Sequence, residues 1–146
     1  MHSRSLKLLI LGCLLSASPL LVGCGASNGA TPANSVANAN QRLAGSWRLQ
    51  SFNPQVPLDL PLQAVLMAEI GQLVVTFNQG QFSAVGPGVN YPGRYVVSSA
   101  EGEQLEAILY DQQGVGYHFT AQFSGGQLNF QLADKPWAGF GVLVHA

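Results

Sequence analysis

Charged side chains are scarce in this sequence. Only 9% of its 146 residues are Asp, Glu, Lys or Arg, against roughly 25% in an average soluble domain. The chain has six basic and seven acidic residues, which gives a formal net charge of −1. Nucleic acids and anionic membrane surfaces are recognised through broad basic fields, and this balance excludes such a field. We therefore expect no nucleic-acid partner.

Residues that build reactive sites are also few. The chain has two cysteines and three histidines, and it lacks phosphate-binding loops and dinucleotide fingerprints. Metal binding needs several convergent His, Cys, Asp or Glu ligands. His118 and His145, the two histidines beyond the first segment, stand apart among scattered acids. We predict neither a metal nor a cofactor, and the length allows one domain.

No apolar run is long enough to span a membrane comfortably. The longest begins at Leu8 and is interrupted by serines and Pro19, short of the about 20 residues that a span needs. It follows a short basic region with Arg4 and Lys7, and this order is typical of a secretory signal.

The signal ends in Leu21-Val22-Gly23-Cys24, which resembles the lipobox of bacterial lipoproteins. The resemblance implies a signal peptide over residues 1–23 and a mature chain whose Cys24 carries diacylglycerol on sulfur and an acyl chain, such as palmitate, on its amine. Two chains suffice for stable anchoring. By the family's sorting rule, Gly25 favours the outer membrane of the bacterial cell envelope, on the periplasmic or the outer surface. An ordinary signal peptide or a simple transmembrane anchor is the alternative.

Residues 24–41 join this lipidated cysteine to the domain. They are Gly, Ala, Ser, Asn, Thr and Pro with little else, and Val36 is the only sizeable apolar side chain. Such a segment cannot bury enough surface to offset its ordering entropy. We predict a flexible tether with a reach of about 20–25 Å, followed by one domain over residues 42–146. With Cys13 in the signal and Cys24 lipidated, that domain has no disulfide.

Short runs with period-two alternation, separated by Gly, Asn, Asp and Pro clusters, fill the domain. This pattern is typical of a β-sandwich or β-barrel. We predict eight strands, at about residues 45–53, 72–78, 81–86, 91–99, 104–110, 115–123, 127–133 and 138–145. Six of the seven connections are short, which indicates hairpins between neighbouring strands. Thirteen glutamines occur in the chain, and many supply the polar, uncharged face of these strands.

The one long connection, between the first two strands, predicts a helix at about residues 60–70. Asp59 can cap it, Pro61 suits its first turn and Gly71 suits its end. Its apolar face carries Leu62, Val65, Leu66 and Ile70, whereas Gln63 and Glu69 lie elsewhere. The fold class that follows is all-β: an eight-stranded antiparallel up-and-down barrel with one short helix between the first and second strands.

The domain opens with Leu43-Ala44-Gly45-Ser46-Trp47-Arg48-Leu49, which resembles the Gly-x-Trp start of lipocalin-like (calycin) domains. The resemblance extends to Val75-Thr76-Phe77, Gly93-Arg94-Tyr95 and Gly126-Gln127-Leu128. It implies a lipocalin-like barrel whose narrow end is closed by Trp47. The last strand has His145 where an arginine would pack over the tryptophan, and the family's Thr-Asp-Tyr turn is absent.

A second segment, Gly88-Val89-Asn90-Tyr91-Pro92-Gly93-Arg94-Tyr95, is similar to the Gly-Cys-Asn segment of META-domain lipoproteins, with Val89 in place of the cysteine. That resemblance implies an envelope structural or protein-interaction module with a filled barrel. It is the alternative to the lipocalin-like interpretation.

An eight-stranded barrel is either just filled by its side chains or leaves room for one small ligand. In the first case the aromatic side chains are core. In the second, we predict a site in which polar groups hold the head of an apolar ligand and phenylalanines face its tail. The predicted head-group residues are Arg94, Tyr91, Tyr95, Tyr110 and Tyr117, and the predicted tail residues are Phe77, Phe119, Phe123 and Phe130.

The function that we expect first is a membrane-anchored protein that binds or carries a small hydrophobic ligand without catalysis. The META-like module, which acts by contact with an envelope protein, is the alternative. A hydrolase that uses His118 with Thr120 and Asp111 is the only enzyme hypothesis, and we do not expect an enzyme. Trp137 after Pro136 is expected either at the barrel rim or capping the core.

Overall fold

The computed structural model describes residues 32–146, with side chains from residue 35. The predicted signal, the lipidation site Cys24 and the first part of the predicted tether lie outside the described residues. The described elements are α1 (Pro32–Leu43), β1 (Gly45–Pro54), α2 (Leu60–Glu69), β2 (Val74–Asn78), β3 (Gln81–Val85), β4 (Asn90–Glu101), β5 (Gln104–Tyr110), β6 (Gly116–Ser124), β7 (Gln127–Leu132) and β8 (Gly139–His145).

The eight strands close into an antiparallel up-and-down barrel in sequence order. Each strand pairs with the next, and β8 pairs with β1 through a register that includes Leu49 opposite Leu143. The predicted fold class is therefore confirmed, and the predicted strand positions agree with the structure to within a few residues. Closure leaves no unpaired strand edge among the eight, which removes a common route to aggregation.

Helix α1 corrects the predicted extent of the tether. Residues 32–41, predicted to be flexible, are helical, and α1 continues to Leu43. Val36, Ala39 and Leu43 lie three to seven residues apart on one helix face and pack against the barrel core; Leu43 is fully buried. The predicted boundary at residue 41 divided this face, so that only Val36 was visible as an apolar residue. Packing of such a face, more than helix propensity, stabilises short helices.

Helix α2 begins where the sequence predicts. Asp59 is its N-cap, and a side-chain oxygen of Asp59 accepts a hydrogen bond from the Leu62 N–H at 3.0 Å. Gly71 follows the helix with a φ of +82°, a conformation that glycine adopts without strain. The prediction about Glu69 is wrong: it was placed away from the buried face, yet only 3% of its surface is exposed.

The side chains that point into the barrel form one continuous core. Trp47, Phe77, Leu105 and Leu128 are at most 1% exposed. Phe77 meets Tyr95 edge to face, with ring centroids 5.2 Å apart, a geometry that aromatic pairs favour. Neither described helix has the length and apolar character needed to cross a membrane.

Candidate functional site

The barrel has two distinct ends. We call the end where β1 begins and β8 finishes the α1 end, because the apolar face of α1 packs against the core there. Trp47 lies at this end, and its indole Nε1 donates to the Leu43 carbonyl oxygen at 2.8 Å. His145 stacks on the indole with ring centroids 4.0 Å apart. This end is therefore closed by an aromatic pair and a helix.

A charged cluster lies at the same end. Arg42 on α1 pairs with Glu103 in the β4–β5 hairpin, and its guanidinium lies 4.1 Å from the centroid of the Phe123 ring. The hydrogen bond from Arg42 lowers the pKa of the Glu103 carboxyl. A concavity of about 260 Å³ is lined by these residues, Trp47, His145 and the β6–β7 hairpin. The cluster attaches α1 to the barrel rim.

The space around two glycines in the barrel wall shows how closely neighbouring side chains pack inside the barrel. A Cβ on Gly141 would lie 2.4 Å from Cζ of Phe130, and one on Gly93 would lie 2.5 Å from Cε1 of Phe82. Both distances are shorter than real Cβ contacts. These inward positions have no side chain because neighbouring aromatic rings occupy the space, as in a close-packed protein interior.

The residues predicted to hold a ligand do not share one site. Arg94 and Tyr110 pair across β4 and β5 on the outer wall, where the guanidinium lies 4.4 Å from the Tyr110 ring centroid. Tyr95 and Phe119, like Phe77, are buried in the core. The remaining members are Phe123 at the α1 end, Phe130 stacked between Phe52 and Phe119, and Tyr91 and Tyr117 near the opposite end.

We call that opposite end, where β1 finishes and β8 begins, the α2 end. Tyr91 at the start of β4 lies there with Tyr117 and Asp111. Burial raises the pKa of the Tyr91 hydroxyl to about 12, with further contributions from the nearby Tyr117 hydroxyl and Asp111 carboxylate. Asp111 also organises the β5–β6 turn, because its Oδ1 accepts from the backbone N–H of Val115 at 2.8 Å.

Exposed apolar side chains concentrate at the α2 end. Helix α2 leaves Leu60 80% exposed and Met67 74% exposed. Three further large apolar residues at this end are exposed: Val85, Tyr91 and Val115. Trp137 lies at the same end and is half-buried. Solvent-facing positions of a surface helix are usually polar, so the exposure of Leu60 and Met67 on α2 is unusual for a solvated surface.

Glu69 fixes α2 to the β3–β4 hairpin. Its Oε1 accepts a hydrogen bond from the Gly88 N–H at 2.7 Å, while Oε2 is buried with no hydrogen-bond partner in the structure. A Cβ on Gly86 would collide with Oε2, so glycine there lets the hairpin close over the carboxyl. The sequence alone does not predict this contact, because no short-range pattern links Glu69 to glycines about twenty residues further along the chain.

His118 pairs with a different acid from the one that the enzyme hypothesis named. Its Nδ1 lies 3.0 Å from Oδ2 of Asp134, and its backbone N–H donates to the same oxygen at 2.6 Å. These hydrogen bonds lower the pKa of the Asp134 carboxyl. His118 is 67% exposed at its side chain, and its imidazole contacts no hydroxyl among the described hydrogen bonds. This pair does not form a nucleophile dyad with Thr120 and Asp111.

A concavity of the described surface lies on the outer barrel wall. It has a volume of about 490 Å³ and runs across β5, β6, β7, β8 and β1. Its outward-facing lining is Ser51, Asn53, Gln104, Glu106, Thr120, Gln122, Asn129, Gln131, Phe140 and Val142. We call it the outer groove. The alternation of polar residues was visible in the sequence, but the register that brings them together was not.

Within residues 32–146, no group of three or more His, Cys, Asp or Glu residues is placed to hold a metal ion. Searches of protein-family models, of curated proteins and of solved structures found no match to this chain.

Proposed function

We propose that this protein is a lipid-anchored protein of the bacterial envelope that acts as a protein-interaction module. The barrel is a filled scaffold, Cys24 carries the lipid, and the α2 end binds an envelope protein. The observation that carries the proposal is the contrast between a packed interior and the exposed apolar side chains of α2.

The packed interior supports this function over carriage of a ligand inside the barrel. A carrier site needs an apolar space of about 300–1,000 Å³ that encloses its ligand. The outer groove and the concavity at the rim of the α1 end both lie outside the barrel interior. Inside the barrel, the ring of Phe130 takes the space beside Gly141, and Phe82 takes the space beside Gly93.

The position of the anchor supports the choice of a protein as the partner. Helix α1 begins at Pro32, eight residues after Cys24. A fully extended chain of that length reaches at most about 29 Å. Helix α1 packs on its own end of the barrel, so a lipid on Cys24 keeps that end near the membrane. The α2 end is about 20 Å further along the strands. The anchor is therefore attached at the opposite end of the barrel from the exposed apolar side chains of the α2 end, which leaves them accessible to a partner.

Site-specific photo-crosslinking in living cells tests the contact surface. A photoreactive residue replaces Met67 in the full chain, and the matched control carries it at Gln81, an exposed position on the outer wall of β3. We expect one discrete crosslinked protein from position 67 and none of that mass from position 81. We also expect Leu60→Asp to abolish the crosslink while circular dichroism and thermal unfolding remain unchanged.

Two outcomes would overturn the proposal. Equal crosslinking from positions 67 and 81 would mean that the α2 end has no preferred partner. Release of a stoichiometric small apolar molecule from purified protein, detected by native mass spectrometry and denaturing extraction, would instead establish the carrier function. The lipid anchor is tested separately: Cys24→Ser should remove labelling by radioactive palmitate, and persistent labelling would contradict the lipidation site.

A further inference from the structure

The outer groove is a regular array of hydrogen-bonding side chains. In the strand register, Gln104, Gln122, Asn129, Val142 and Ser51 form one row across five strands. Glu106, Thr120, Gln131, Phe140 and Asn53 form a second row beside it. With neighbouring strands about 4.8 Å apart, each row spans about 19 Å.

The hydrogen-bonding capacity of the amide side chains in this array is unused within the part of the protein that the structure describes. Five side-chain amides line the groove, and none takes part in a hydrogen bond within residues 35–146. Each amide offers two donor hydrogens and an acceptor oxygen. The groove therefore presents several free donors and acceptors on adjacent strands, which a ligand rich in hydroxyl groups complements.

Charge restricts the class of ligand further. Glu106 is the only charged residue that lines the groove, and no Lys, Arg or His lines it. The Glu106 carboxylate accepts a hydrogen bond from the Ser99 hydroxyl at 3.0 Å. Phosphate, sulfate or uronate groups would find no cation here and one anion. An anionic polymer is thus disfavoured, whereas a neutral one meets no electrostatic penalty.

An aromatic ring completes the array. Phe140 lies in the second row, between Gln131 and Asn53, and is 48% exposed. An exposed ring beside hydrogen-bonding groups gives an apolar surface on which the C–H face of a sugar ring can pack. The groove volume of about 490 Å³ is within the range of small-molecule sites.

From these observations we infer that the outer groove binds a neutral polysaccharide, with the chain running along the two rows. The amides hydrogen-bond the sugar hydroxyls, and Phe140 packs against one sugar ring. This site is on the outer wall of β5–β8 and β1. It uses none of the exposed α2 side chains, although Phe140 and Asn53 in its second row lie next to the α2 end. A failure of either proposal leaves the other standing.

Titration of the mature protein with neutral oligosaccharides tests the inference. The neutral probes are maltoheptaose, cellohexaose and chitohexaose, and polygalacturonate is the anionic comparison. Binding is measured from amide chemical shifts in NMR spectra of the protein and by calorimetry. We expect saturable binding of at least one neutral probe, with shifts concentrated on β6 to β8, and no binding of polygalacturonate.

Substitutions assign the binding to the groove. Gln122→Ala and Phe140→Ala should each weaken binding about three- to tenfold, as the loss of one good polar or packing contact does. Gln81→Ala, an exposed strand glutamine outside the groove, and Val96→Ala, an exposed apolar residue of β4, are the matched controls and should leave affinity unchanged. Absence of binding by all three neutral probes, equal binding of polygalacturonate, or binding insensitive to both groove substitutions would overturn the inference.

Discussion

Gly141→Ala tests whether the barrel interior is filled. The added methyl group would lie 2.4 Å from Cζ of Phe130 and 2.8 Å from the carbonyl oxygen of Ser51. The φ of Gly141 is not in the positive region, so alanine meets steric obstruction there without backbone strain. Introducing one methyl group into a packed core usually costs about 1–3 kcal/mol.

The expected net effect is smaller than that cost. Alanine restricts the unfolded chain more than glycine does, which returns about 0.4–1 kcal/mol. We expect Gly141→Ala to lower the free energy of unfolding by about 1–2 kcal/mol, measured by urea denaturation. The corresponding fall in Tm is about 4 °C per kcal/mol for a domain of this size.

A double-mutant cycle with Phe130→Leu identifies the cause. Phe130→Leu alone leaves a small void and costs about 1–1.5 kcal/mol. With the ring removed, the methyl group on residue 141 no longer meets Phe130, although the Ser51 carbonyl oxygen stays 2.8 Å away. The double variant should therefore be more stable than the sum of the two losses predicts, with part of the Gly141→Ala loss remaining. A Gly141→Ala variant as stable as the wild type would refute the packed interior and with it the main support for the proposed function.

Three other interactions give further predictions. Glu69→Ala removes the acceptor of the Gly88 N–H and should lower the free energy of unfolding by about 1–3 kcal/mol, with faster hydrogen exchange at the Gly88 amide. Asp134→Asn should cost at most about 1 kcal/mol near neutral pH because the pair is exposed. The folded-state pKa of the Asp134 carboxyl is lowered. Its contribution to the free energy of unfolding is therefore present above the unfolded pKa of 3.8 and is lost as pH falls through the folded-state pKa. Urea denaturation at several pH values measures this loss. Ultraviolet titration should place Tyr91 ionisation near pH 12, and Asp111→Asn should lower that pKa without returning it to 10, because burial is the largest cause.

Controls separate these effects from general destabilisation. Gln63→Ala, an exposed change on α2, should leave exchange at the Gly88 amide unaltered; unchanged exchange in Glu69→Ala would contradict the attachment of α2. If the difference in free energy of unfolding between the wild type and Asp134→Asn stays constant as the solution is acidified, the lowered pKa of Asp134 is contradicted. For Tyr91, the raised folded-state pKa stabilises the protein below pH 10, and this contribution disappears as pH rises towards 12. Ionisation of Tyr91 near pH 10 would contradict the partial burial of its hydroxyl and its contacts with Tyr117 and Asp111.

Local patterns in the sequence predicted most of the fold. Alternation of apolar and polar residues located the strands, and short turns such as Ser124-Gly125-Gly126 required antiparallel neighbours. Asp59 and Gly71 located the start and the end of α2 because capping is chemistry of adjacent residues. Helix α1 was missed because its stability comes from Leu43 and Ala39 against the barrel, a contact that no local pattern reports.

The candidate surfaces depended on information that the sequence does not carry. The sequence indicated which strand residues are polar, but barrel closure and register decided that Gln104, Gln122 and Asn129 form one row. Likewise, composition allowed a cavity or a solid core, and only the structure shows that the rings of Phe130 and Phe82 occupy the space beside Gly141 and Gly93.

The sequence by itself determined the eight strands, the helix between the first two and the near absence of charge, because each follows from periodicity, capping or composition over a few neighbouring residues. The tertiary structure decided that α1 packs on the barrel, that Glu69 is buried and that His118 pairs with Asp134. Those contacts join residues that are distant in the chain, and their geometry is set by closure of the barrel.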